Sequence, residues 1–328
     1  MVQRGQGMAA DIAEQPAGFA RLLEGPHAAA IAEVAAEVAR RRPRNVMFVA
    51  RGTSDHAALY GARPDFTDTL VIGVSQSGGS PDLTGVLSAA RETGGLTLAV
   101  TNNPDSPLAQ AAELSIDVAA GHERAVAATK SYTAELLALL LLVEGVRAGD
   151  GKVPAAERSA LDKLPQLAED ALADPAADAL AQRYRFASRM VTTGRGYAYP
   201  TAREAALKLM ETSYLPALSF SGADLLHGPL AMTDPDVPVL AVVGDGPGGR
   251  SMRDVVARLA ERRADVVTIG ASDIAGAAGR LAVPAVADER HSALLDILPL
   301  QKLALALALA RGEDPDAPRG LKKVTTTL

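Results

Sequence analysis

Residues 70–82 read LVIGVSQSGGSPD, and the fold of the chain turns on them. The unbroken apolar run from Leu70 to Val74 has the length and composition of a strand buried on both faces, as in a parallel sheet. It stops at Ser75, Gln76, Ser77, Gly78, Gly79 and Ser80, small residues that supply hydroxyls and backbone amides. Ser80 followed by Pro81 suits a helix start, an N-cap and then a first helical residue. A strand that passes to a helix through such a turn gathers unpaired N–H groups and the positive end of the helix dipole at one point. That makes an anion pocket. An ordinary Ser- and Gly-rich turn would read the same way, so the rest of the chain has to decide.

The same unit recurs on either side. Residues 46–50, VMFVA, have a buried-strand pattern ending in Arg51, Gly52, Thr53 and Ser54. Residues 96–100 and 114–118 read as further strands, the first ending in Thr101, Asn102 and Asn103, and residues 128–147 as a long apolar helix. Ahead of them, residues 8–42 read as two Ala-rich helices broken near Gly25 and Pro26, and residues 149–178 as a helical connector. A second cycle follows: strand 190–193, helix 201–214, strand 238–243 ending in Gly244, Asp245 and Gly246, a helix near 251–263, strands 265–270 and 281–286, and helix 293–311. VMFVARGTS matches RMVTTGRGY, and LVIGVSQSGG matches VLAVVGDGPG, which indicates an internal duplication. Strands alternating with helices imply an α/β architecture with parallel sheets covered on both faces. Ligands of such sheets gather at the carboxyl ends of the strands, where Gly52-Thr53-Ser54, the Ser75-to-Ser80 turn and Thr101-Asn102-Asn103 would meet. One feature is cramped: only Ser54 to Asp68 separates the first two strands, little for a right-handed crossover. Either a peripheral strand is absent there or residues are missing.

Composition narrows the function. With 328 residues the chain is long enough for two domains, and its 48% apolar content supplies their cores. Aromatics are only 3% and Trp is absent, so Ala, Leu and Val must fill those cores. A net charge of −6 with no long basic run argues against nucleic acid as a partner. The cluster Arg40, Arg41, Arg42 and Arg44 reads as cations suited to a helix C-terminus. The absence of Cys excludes disulfides, thiolate catalysis and Cys-based zinc sites, and suggests a cytoplasmic setting. No signal-peptide pattern opens the sequence, and the longest apolar run, residues 136–143, is too short to span a bilayer. No membrane partner is expected.

The titratable residues offer few constellations. His27, His56, His122, His227 and His291 are not spaced as metal pairs, so neither a metal nor another cofactor is expected. His227 precedes Gly228-Pro229, a backbone break where an imidazole could exchange protons near neutral pH; a structural histidine reads equally well. Lys208 and Glu211 stand at i, i+3 and share a helix face, which by itself describes a surface ion pair. Lys322 and Lys323 lie in a polar tail of the kind that frays.

Taken together, Gly52-Thr53-Ser54, Ser75-Gln76-Ser77-Gly78, Ala127-Ala128-Thr129-Lys130, the run EAALKLME from Glu204 to Glu211, His227-Gly228-Pro229-Leu230 and PRGLKKVT from Pro318 to Thr325 resemble the sugar isomerase (SIS) domain proteins. The likeness is to the isomerase half of glucosamine-6-phosphate synthase and to single-function glucosamine-6-phosphate deaminases, and it covers the chain from about residue 45. It implies two tandem flavodoxin-like (SIS) three-layer α/β/α domains with parallel sheets. Their expected bounds are N-terminal helices 1–44, a first domain 45–148, a linker 149–178, a second domain 179–313 and an active-site tail 314–328. By the same resemblance, Ser75, Gln76, Ser77 and Ser80 bind the phosphate, Gly52, Thr53 and Ser54 line the sugar, and Val126 and Ala128 form the strip beside it. Glu211 moves the proton between C1 and C2, with Lys208 as its partner. His227 opens the sugar ring, donated from the other subunit of a homodimer, and Lys323 engages the open carbonyl. The sequence departs from the family at Gly79, often Glu, at Ala128, where the synthase has Ser, and at Lys322, in place of a small residue. Its tail ends Val324-Thr325-Thr326-Thr327-Leu328 without an acidic residue, and its first crossover is shorter than the family's.

The chemistry agrees with those roles. Abstracting a proton beside a carbonyl needs a fixed carboxylate and a sink for the enolate, and remote binding of a phosphate holds C2 in place. With no glutaminase segment and no Cys, glutamine-fed synthesis is not expected. The leading expectation is conversion of glucosamine 6-phosphate to fructose 6-phosphate and ammonia. The alternatives are dehydration of an N-acetylated substrate by the same C2 deprotonation, another phosphosugar isomerisation, or a non-catalytic sugar-phosphate sensor.

Overall fold

The computed structural model describes residues 4–49 and 66–321. Three helices come first: α1 (Gln6–Ala13), α2 (Gln15–Leu23) and α3 (Gly25–Arg41). The hydrophobic pattern alone merges the first two. They part at Glu14, beyond which the buried Gln15 turns inward and donates to the Ile12 carbonyl at 3.1 Å. At the end of α3 the basic cluster forms ion pairs, Arg40 and Arg41 with Glu37 and Arg41 also with Glu113.

Then follow β1 (Asn45–Val49), β2 (Thr69–Ser75), α4 (Pro81–Glu92), β3 (Leu96–Thr101), α5 (Pro107–Ala111), β4 (Leu114–Asp117) and α6 (Lys130–Ala148). The strands form a parallel sheet in the order β1-β2-β3-β4. Both central strands are buried, as their unbroken apolar runs require. Val71 and Ala99 pack with Leu83 and Leu87 of α4 and Leu108 of α5. The connector folds as α7 (Ala155–Leu161), α8 (Leu164–Ala173) and α9 (Ala176–Tyr184).

The second cycle comprises β5 (Met190–Gly194), α10 (Ala198–Ser213), β6 (Ala217–Ser221), α11 (Gly222–Leu226), β7 (Pro238–Val242), α12 (Pro247–Glu261), β8 (Asp265–Gly270), β9 (Gly279–Ala282) and α13 (Glu289–Ala310). Its parallel sheet has the order β6-β5-β7-β8-β9, the 2-1-3-4-5 arrangement of flavodoxin-like folds. Sequence patterning passed over β6 because ALSFS is an edge strand, buried only at its first residue, with Leu218 50% exposed. Matched strand for strand, β1 to β4 correspond to β5, β7, β8 and β9. Among the described residues the first sheet lacks a counterpart of β6, so its β1 is an edge strand, with Val46 and Phe48 half exposed. The short connection that raised the question, residues 50–65, lies outside the described residues.

By internal contacts the described chain divides into two compact units. One comprises residues 17–49, 66–123 and 130–164, with the first sheet; the other comprises residues 4–16, 124–129 and 165–321, with the second. Helix α13 alone among the described helices is long and apolar enough to cross a bilayer, by length and composition only. Its apolar window is 72% buried, and the helix packs on α9 and α10 as a core element of its unit.

Candidate functional site

In the first unit the chemistry collects where β2 and β3 end, at the paired residues Ser75 and Thr101. Ser80 takes the N-cap position of α4 in extended conformation, with Pro81 in the first turn, as the sequence pattern predicted. The turn between is held from two sides. Ser75 Oγ accepts from Gly78 N at 3.2 Å and Ser77 Oγ from Gly79 N at 3.3 Å. From the β3 side, Asn102 N donates to Gln76 O at 3.2 Å. The Thr101 hydroxyl donates to the same carbonyl at 3.4 Å. Accepting from amides leaves the two serine hydroxyl hydrogens to donate to an anion. Gly78 has a φ of +62°, and a Cβ there would meet Ser106 Oγ at 2.1 Å, so only glycine fits this bend. Ser75, Gln76, Ser77 and Ser80 thus share one polar turn at a helix N-terminus.

In the second unit the site is built on α10. Its buried face, Ala198, Thr201, Ala202, Ala205, Ala206, Leu209 and Thr212, follows a 3.6-residue period. Lys208 falls on the edge of that face and is 2% exposed. Its Nζ lies 2.5 Å from Glu211 Oε2 and 3.3 Å from Glu204 Oε1. This is no surface pair. Burial by itself would depress the Lys208 pKa, but the two carboxylates outweigh it and the pKa is raised. Lys208 is therefore a fixed ammonium, and it holds Glu211, whose side chain stays 25% exposed, in one place. Glu204 was not among the sequence candidates, although its i, i+4 spacing to Lys208 was there to be read.

Val126 and Ala128 lie on an irregular strip, residues 124–129, bent at 125–127, in the same unit. Both are partly exposed, while Ala125, Ala127 and Thr129 are buried. The strip is tied from beneath. Asp11, fully buried on α1, accepts from Arg124 N at 2.6 Å and Ala125 N at 2.9 Å. At the other end Gln301 of α13 donates to Thr129 O at 3.2 Å. No spacing rule connects Asp11 to residue 124, so sequence reasoning missed it.

His227 caps the short α11, and its exposed side chain has no hydrogen-bond partner among the described residues. The root of the tail is anchored. Asp316 accepts from Gly7 N and Met8 N at the start of α1 at 2.8 and 2.7 Å. Arg319 lies 4.1 Å over the ring of Tyr214, the residue that ends α10. Gly52, Thr53, Ser54 and Lys323 lie outside the described residues. No group of three or more metal-ligating side chains occurs among the described residues.

Comparison with known proteins agrees with this architecture. The SIS domain family matches residues 66–145 and 184–311. The isomerizing glutamine–fructose-6-phosphate aminotransferase of Thermococcus kodakarensis is 35% identical over 354 residues, which covers 97% of this chain and 58% of that protein. The Pyrobaculum aerophilum protein of the same name is 34% identical over 347 residues, 57% of its length. The chain thus spans little more than half the length of these relatives. Among solved structures, the C-terminal domain of glucosamine-fructose-6-phosphate aminotransferase from Francisella tularensis has a TM-score of 0.84, covering 95% of this chain and 98% of that one. At 23% identity this is a likeness of fold.

Proposed function

The chain belongs to the SIS domain family, and from that premise we propose that it acts at C1 and C2 of an amino-sugar phosphate, converting glucosamine 6-phosphate and water to fructose 6-phosphate and ammonia. The observation that carries this reading is the Lys208–Glu211 pair: a carboxylate open on one side and fixed on the other by a buried ammonium. Such a group suits a proton shuttle between adjacent carbons, because it needs no reorganisation when the substrate arrives.

In the open-chain sugar, Glu211 takes the C2 proton and returns it to C1. The C1 aldehyde becomes an alcohol and the C2 amine an imine, which water hydrolyses to the ketone with release of ammonia. Ser75, Gln76, Ser77 and Ser80 hold the phosphate, whose binding energy positions the reacting carbons. Gly52, Thr53, Ser54, Val126 and Ala128 line the sugar. His227, exposed and without a hydrogen-bond partner among the described residues, opens the ring in a neighbouring copy, which makes the working unit a homodimer. Lys323 engages the open carbonyl. Support for its role comes from Arg319, stacked at the end of α10. The segment leading from there to Lys323 extends at most about 14 Å.

The test is a panel of phosphorylated sugars with products read by mass spectrometry. Ammonia from glucosamine 6-phosphate is the expected result. Loss of water from the N-acetylated sugar, or rearrangement without loss of nitrogen, would replace the reaction named here. Glu211→Gln should lower turnover by about 10²–10⁴-fold while leaving sugar-phosphate binding intact. Unchanged turnover would remove Glu211 from its role.

A further inference from the structure

The duplication gives the second sheet its own counterpart of the phosphate turn. β7 corresponds to β2, and each passes through a Gly-rich turn to a helix with proline in its first turn, α12 at Pro247 and α4 at Pro81. Where the first turn reads Ser-Gln-Ser-Gly-Gly-Ser, residues 244–249 read Gly-Asp-Gly-Pro-Gly-Gly. This second cradle is filled by the protein itself. Glu289, the first residue of α13, places Oε1 2.6 Å from Gly248 N and 3.2 Å from Gly249 N. The glycines make room for it. A Cβ on Gly246 would stand 2.4 Å from Glu289 Cδ, and one on Gly248 2.5 Å from Oε1. The Ser292 hydroxyl donates to the Glu289 carbonyl at 2.9 Å and steadies the turn from which the side chain reaches.

Beside the carboxylate remains a cavity of 70 Å³, lined by Gly244, Asp245, Gly246, Glu289, Ser292 and Asp296 among others. Small-molecule pockets run to about 300–1,000 Å³, so no hexose phosphate enters while Glu289 is in place. A second observation also points to a ligand. Asp296 is 1% exposed, lines the cavity, and has no hydrogen-bond partner for Oδ2 among the described residues. Burial, opposed by a hydrogen bond from the Ser292 hydroxyl and aided by the nearby Asp245 charge, pushes its carboxyl pKa up to about 8, so at neutral pH it holds a proton that it can donate to an anion.

We propose that the N-terminus of α12 is a second anion site, of the class that takes phosphate or a phosphomonoester, and that Glu289 is its built-in occupant. Two convergent amides and the helix dipole are what a phosphate oxygen requires, and the carboxylate oxygen supplies the same charge at the same place. A group tethered through the chain competes at an effective concentration on the order of millimolar or more, which keeps free phosphate out. The site stays shut until Glu289 leaves.

The experiment follows the backbone amide resonances of Gly248 and Gly249 in the isotope-labelled full chain during titration with inorganic phosphate, with chloride at equal ionic strength as control. In Glu289→Ala both resonances should shift saturably with phosphate and not with chloride. In the wild type, and in Glu289→Gln, which keeps an oxygen in the cradle, they should stay still. Stationary resonances in Glu289→Ala, or equal shifts in the wild type, would overturn the proposal. Glu289→Ser, which removes the carboxylate yet retains a small acceptor, serves if the alanine variant does not fold. The readout is local to α12, so it stands apart from the fate of the Ser75-to-Ser80 turn.

Discussion

Replacing Lys208 by Met tests the centre of the site. The ammonium sits 2.5 Å from Glu211 and 3.3 Å from Glu204, with side-chain exposures of 3% for Lys208, 25% for Glu211 and 12% for Glu204. At an effective dielectric constant of about 20, each attraction is roughly 5–7 kcal/mol before the cost of desolvating three charges is set against it. What remains on truncation is the penalty of leaving two carboxylates half-buried without their cation, about 3–5 kcal/mol. The raised Lys208 pKa means that the stabilisation is complete below the ordinary lysine value of 10.5 and is lost as the pH rises from there through the folded pKa, so a measurement at neutral pH reads all of it. Urea unfolding should show the midpoint falling by about 1–1.7 M for a slope near 3 kcal/mol/M. The triple variant Lys208→Met, Glu204→Gln, Glu211→Gln should recover most of the loss, because an apolar and neutral replacement of a buried ionic group is close to neutral. A loss below about 1 kcal/mol, or a triple variant no more stable than the single one, would refute the view that this ammonium holds the carboxylates in place.

Two further outcomes can be checked. Gly78→Ala forces a left-handed backbone on a residue whose Cβ would lie 2.1 Å from Ser106 Oγ, so the turn must move. Sugar-phosphate KM should rise with a stability cost of about 1–3 kcal/mol, and an unchanged KM would detach this turn from phosphate binding. Asp296 keeps its proton up to about pH 8 in the folded state and loses it near 3.8 when unfolded. Between those values the native state binds more protons, so this contribution to stability falls as pH rises, by about 1.4 kcal/mol per unit. Asp296→Asn should remove that slope, and parallel stability–pH curves for the two proteins would count against a buried neutral acid.

Residues 70–82 and their repeat at 238–246 carried enough information for parallel α/β units, because a strand covered on both faces must be continuously apolar and the helix start is written locally in Ser80-Pro81. The Lys208–Glu211 pairing was likewise legible from helical spacing, since a 3.6-residue turn places both on one face. Tertiary structure decided the rest. That Lys208 is buried rather than solvated depends on how α10 packs in its unit, and helical period alone does not set depth. Strand β6 escaped because an edge strand with one buried end has no hydrophobic signature. Asp11 beneath the 124–129 strip and Glu289 in the amide cradle of α12 could not be foreseen. Each carboxylate meets backbone N–H groups far away in sequence, and a backbone amide has no residue type by which a pattern could reveal it.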